Sequence, residues 1–133
     1  MADYFNKLKS FLFEIGYEIV SEDKSQKLVV ISDPEEGINN MILDCEDELL
    51  IVEQFIFNVT DDLDVYKSLL QMNRNFVHGA FVLDDSGQKV LFRDTLQLEN
   101  LDLNELEATI KSLSLFLAEH AQELIQISKK IEN

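Results

Sequence analysis

The chain has no tryptophan, one proline, one cysteine, four glycines and two histidines among its 133 residues. Each shortage excludes something. The lone thiol, Cys45, can form neither an intrachain disulfide nor a multi-cysteine metal site, and its apolar flanks fit a buried, inert side chain. The glycines are isolated, so there is no glycine-rich phosphate loop, and no G-x-S-x-G nucleophile elbow is present. His78 and His120 have no H-x-x-x-H spacing that would hold zinc. Basic residues are scarce as well: 11 stand against 26 acids, for a formal net charge of −15. A body this acidic repels nucleic acid and anionic membranes, attracts basic partners, and stays soluble while exposing some apolar surface. No stretch approaches the ~18 uninterrupted apolar residues of a membrane span. The opening MADYFNKLKS carries no secretory hydrophobic region, so the expected compartment is the cytoplasm.

Carboxylates are abundant, but Glu35–Glu36, Asp61–Asp62 and Asp84–Asp85 are adjacent in sequence and fall in turns. Such neighbours often point apart, so they do not read as a general acid/base pair. The run Asp84–Gly87 begins like a calcium loop but lacks the later acidic ligands. His78, next to Gly79 at a helix end, reads as a capping or turn residue, and His120 as a core or interface histidine on an apolar seam. No catalysis, cofactor or metal is expected.

What is present is apolar pattern. The length fits one domain over 1–133. Phe5, Leu8, Leu12 and Ile15 predict a first helix over about residues 4–16, capped by Asp3 and stopped by Gly16. Phe13 falls off that stripe, among Asn6, Lys9 and Ser10. Residues 17–21, 26–32, 38–45 and 48–57 read as four strands, with the only proline in the DPEEG loop. These strands are apolar on both faces. Leu50, Val52 and Ile56 oppose Leu49, Ile51, Phe55 and Phe57, and Val29 and Ile31 oppose Leu28 and Val30. A sheet with one wet face alternates cleanly, so these strands call for cover on both sides.

Thr60 or Asp61 can cap a second helix near 62–76. It carries two stripes: Val65, Leu69, Met72 and Phe76 on one side, Tyr66, Leu70 and Val77 on the other. That is wider than one core needs. Residues 80–84 and 89–95 form a hairpin around Asp85–Ser86–Gly87. Asp102, with Glu105 three residues on, opens a long last helix whose stripe runs from Leu103 through Leu113, His120 and Leu124 to Ile131. At 1.5 Å per residue, about 28 residues extend roughly 42 Å, enough to span or overhang the domain.

The run LLQMNRNFVHGAFVLDDSGQKVLFRDTLQLENLDLNELEATI resembles the Tir-chaperone-like fold, which covers the class I type III secretion chaperones and the YbjN-type bacterial proteins. The shared features are a second helix ending in Asn73 or Asn75, a glycine, "AFVLDDSG", "LFRDTLQL", and "LDLNEL" entering a long last helix. The resemblance implies an α+β fold, an antiparallel sheet with three helices; the strand pattern adds one early strand to the order of the type III chaperones, giving α-β-β-β-(β)-α-β-β-α. It implies a cytoplasmic homodimer that holds an extended segment of a secreted, effector-like protein on its first helix and sheet, as in strand addition. The residues matching that surface are Phe13, Val29, Ile31, Leu50, Val52 and Ile56, and the helix matching the dimer interface supplies Val65, Leu69 and Met72. A YbjN-type regulatory or sensory module, acting through protein or small-ligand contact, is the alternative.

Overall fold

A computed structural model describes residues 3–132, and the side chains of residues 3–129. The element order is α1 (Tyr4–Ile15), β1 (Ile19–Asp23), β2 (Leu28–Asp33), β3 (Ile38–Glu46), β4 (Leu49–Asn58), α2 (Leu63–Met72), β5 (Ala80–Leu83), β6 (Lys89–Gln97) and α3 (Leu103–Glu132), with short 3-10 turns at Pro34–Glu36 and Asn73–Asn75. This is the predicted α+β order, including the fourth early strand. All six strands form one antiparallel sheet in the order β1-β2-β3-β4-β6-β5.

Local chemistry sets the boundaries. Asp3 accepts a bond from the Asn6 N–H at 3.0 Å to start α1. Gly16, at φ 102°, ends the helix by donating to the Leu12 and Phe13 carbonyls. Asp62, rather than Thr60 or Asp61, caps α2, accepting from the Asp64 and Val65 amides. Asp102 accepts from the Glu105 N–H at 2.7 Å. Asp84 closes the β5–β6 turn, taking the Ser86 hydroxyl and the Lys89 amide.

The helices lie on one side of the sheet. A first core joins Leu8 and Leu12 of α1 to Val29, Ile31, Leu43, Leu50 and Val52 of the sheet and to Leu106, Ile110 and Leu113 of α3. A second joins Val65, Leu69 and Met72 of α2 to Phe81, Val90, Phe116 and Leu124. Ile56, Phe76 and Leu117 pack against both cores. α3 therefore crosses both, which explains its length of 30 residues, or about 45 Å. The helix is bent at His120 (φ −118°, ψ 17°), whose ring stacks 4.2 Å from that of Phe116. Ile131, the last position of the predicted stripe, lies outside the side chains described.

Candidate functional site

The expectation that both sheet faces would be covered fails: this chain covers only one. Val29, Ile31, Leu50 and Val52 are all 0% exposed beneath α1 and α3. They form core, not an accessible patch. Ile56 is partly buried between the two cores. The reason is parity. Side chains alternate along a strand, so when both sets are apolar the pattern does not say which set faces the helices. The opposite set is the open one.

That open face is built from rows of paired residues. Leu28, Asp44, Ile51 and Thr95 lie side by side on β2, β3, β4 and β6. In the next row stand Val30, Ile42, Glu53 and Arg93. Phe55 pairs with Leu91, which pairs with Val82 on β5. Ile42, Leu49 and Phe55 are more than 40% exposed. The register then shifts between Phe55 and Phe57. This bulge turns Phe57, expected beside Phe55, toward the second core opposite Val90.

Charge on this face leans acidic around Asp44. Asp44, Glu46 and Glu53 share the face with Arg93, whose Nη1 is 2.8 Å from a Glu53 oxygen, and with Lys89, whose Nζ lies 6.0 Å from the Phe55 ring centroid. Asp44 is flanked by Leu28 and Ile51, and its Oδ1 is buried without a hydrogen-bond partner among the described residues. Burial, followed by the neighbouring Glu46 and Glu53 carboxylates, pushes its carboxyl up to about 6.

Phe13 stands 87% exposed on α1, off the buried stripe as its spacing required. The residues expected at a dimer interface, Val65, Leu69 and Met72, are instead 2–6% exposed and pack inward on the second core. α2 offers its other stripe outward: Leu63 is 84% and Leu70 is 70% exposed. Beside it runs a groove of about 270 Å³ lined by Tyr66, Leu70, Phe81 and Leu83, against edge strand β5. Asn73 closes part of that edge. Its Oδ1 accepts the Phe81 N–H at 2.7 Å, and its Nδ2 donates to the Phe81 carbonyl at 3.2 Å.

The two histidines and Tyr17 have structural partners. His78 uses its backbone, exchanging bonds of 2.9 and 2.7 Å with the Ser112 hydroxyl of α3. His120 lies 3.3 Å from a Glu123 oxygen. The Cys45 thiol is buried, which pushes it up to about 11, away from a reactive thiolate. Tyr17 donates to Glu36 at 2.6 Å, and burial followed by that carboxylate raises its phenol to about 12. Among the described residues, no group of three or more His, Cys, Asp and Glu side chains could hold a metal ion. No helix among them is long and apolar enough to cross a membrane.

A chain with this order of elements and a one-sided sheet matches the CesT_Tir_1 family model over residues 1–130. It belongs to the CesT_Tir_1 family. No curated protein matches it by sequence. Solved structures share the CesT_Tir_1 fold at low identity. YbjN of E. coli superposes with a TM-score of 0.67 at 14% identity, over 90% of this chain and 92% of that one. A chain of the HopA1–SchA chaperone–effector complex gives 0.58 at 15%, over 86% and 91%. A chain of the complex of the Yersinia pestis type III secretion chaperone SycH with a fragment of YscM2 gives 0.54 at 14%, over 94% and 99%. At these identities the likeness concerns fold, and it bears out the antiparallel sheet with three helices and a long last helix.

Proposed function

We propose that this protein is a non-catalytic, chaperone-like module that holds a segment of a partner protein against its open sheet face and the exposed side of α1. One observation carries the reading: a six-stranded sheet with helices on one side only, and with Ile42, Leu49 and Phe55 left exposed on the other. An exposed apolar sheet face of this kind marks a surface meant for a partner. Solved structures of the same fold include chaperones in complex with other proteins. The net charge of −15 keeps the chain soluble while that face is empty.

The outward stripe of α2, Leu63 and Leu70, with the groove beside β5, is proposed as the homodimer contact. Light scattering should then report about twice 15.3 kDa. The working compartment is the cytoplasm. The YbjN-type regulatory reading stays as the second, because YbjN superposes better, at 0.67, than the two complexes, at 0.58 and 0.54.

The test is affinity capture from the cytosol of the source cells, comparing the native chain with Phe55→Ser and Phe13→Ser. A stoichiometric protein retained by the native chain and lost by the variants supports the chaperone-like reading. Partner retention unchanged by both substitutions refutes it, and absence of any stoichiometric protein favours the regulatory reading.

A further inference from the structure

The open face is apolar, but it is not neutral. Across β2–β4, the side chains of Leu28, Val30, Ile42 and Ile51 surround the Asp44 carboxylate. Glu46 follows it two residues along β3, and Glu53 is diagonal to it on β4. Arg93 is engaged by Glu53. Asp44 is left with one oxygen that is shielded from solvent and unbonded among the described residues. Carboxylates set among apolar side chains repel one another more strongly than they would in water. A neutral apolar segment laid over this face would remove solvent from Asp44 and Glu46 and leave them unpaired, which is costly. A segment bringing a cation to the same place would pair them.

We propose that the occupant of the open face is a segment of another protein in which apolar residues are interrupted by lysine or arginine, the cation seating between Asp44 and Glu46. This inference rests on the chaperone-like reading and specifies the chemistry of its partner. Apolar residues of the segment cover Ile42, Ile51 and Phe55, and the cation gives the register. Discrimination comes from the acids: a segment with glutamate at the same position is repelled. The Asp44 carboxyl is raised by burial first and by the Glu46 and Glu53 carboxylates second, in keeping with its place among apolar side chains and acids.

The test uses the full chain and three short synthetic peptides, matched in leucine content, with lysine, serine or glutamate at the variable positions. Binding is read by fluorescence anisotropy. The lysine peptide should bind about tenfold more tightly than the serine peptide, and Asp44→Asn with Glu46→Gln should remove that advantage. A control pair, Asp85→Asn with Glu99→Gln, neutralises two exposed acids elsewhere and should leave it unchanged. Circular dichroism melts confirm that each variant is folded. Equal binding of the lysine and serine peptides, both weakened by Phe55→Ser, overturns the cation while the face remains a docking surface. Equal loss in both acid pairs overturns the seat at Asp44 in favour of the diffuse field of the whole chain. Absence of binding by any peptide overturns the proposal and leaves the chaperone-like reading to the capture experiment. Conversion of a dimer to a monomer by Phe55→Ser shows that a second copy covers the face, which also overturns it.

Discussion

Asp44 sits between Leu28 and Ile51 with carboxylates at Glu46 and Glu53 for company. Its carboxyl is raised from an ordinary 3.8 to about 6, through burial first and the neighbouring acids second. Between those two pH values the folded protein binds a proton that the unfolded chain does not. Stability from this group therefore rises as pH falls from about 6 toward 3.8, and the cost of the ionised carboxylate is fully present above 6. The whole rise corresponds to about 3 kcal/mol, as a ceiling. Solvent reaching the open face reduces this to about 1 kcal/mol. Asp44→Asn keeps the shape, removes the charge and can donate to Glu46. It should raise the melting temperature by about 3–4 °C at pH 7.5. At pH 4 the gain should vanish, because Asp44 is then protonated in the folded protein. Thermal melts of the native chain and the variant at both pH values give the answer. A variant less stable than the native chain at pH 7.5, or a gain equal at both pH values, would refute the electrostatic account of Asp44.

Glycine positions offer a paired test. A Cβ at Gly79 (φ +80°) would stand 2.5 Å from Phe92 Cε1 and 3.0 Å from the Arg93 carbonyl, whereas at Gly87 (φ +73°) it meets open space. Gly79→Ala should cost more than ~3 kcal/mol and Gly87→Ala only about 1 kcal/mol by urea denaturation; equal costs would show that backbone φ alone, not the close approach, matters. Asn73→Ala removes both bonds to the Phe81 backbone. It should cost about 1–3 kcal/mol and speed amide exchange at Phe81, and unchanged exchange there would contradict the clip. Leu70→Lys should yield a folded species of 15.3 kDa by light scattering, while a dimer that persists would move the interface away from the outer stripe of α2.

Much of the architecture was legible because periodicity and caps agree. The 3,4 spacing of Phe5, Leu8 and Leu12 specified the buried stripe of α1, and Phe13, outside it, is exposed. Asp102 with Glu105 marked the start of α3, and Asp84 to Gly87 marked the hairpin. The orientation of the sheet was not legible. Strands β2 and β4 are apolar at odd and even positions alike, so Val29, Ile31, Leu50 and Val52 were indistinguishable from Val30 and Ile51 until the helices chose a side. The same ambiguity reversed α2, whose Val65–Leu69–Met72 stripe faces the core while Leu63 and Leu70 face out. One signal was available. Asp44 and Glu53 fall on the same face as Ile42 and Ile51, whereas the inward set of β3 and β4 has only Gln54 as a buried polar side chain, bonded to Gly37 and Asn39. Counting charges by parity would have picked the open face. The bulge at Phe55–Phe57 depends on pairing between strands distant in sequence, and the bend at His120 and the Asn73 clip depend on side-chain geometry, neither of which apolar periodicity encodes.

The most direct test of a partner-holding open face is site-specific photo-crosslinking in the source cells, with a benzoyl-phenylalanine in place of Phe55 and, separately, of Leu63. The account predicts that position 55 crosslinks to a different protein and that position 63 crosslinks to a second copy of this chain. Crosslinks from position 55 to this chain alone, or to nothing while position 63 captures the foreign protein, would contradict it.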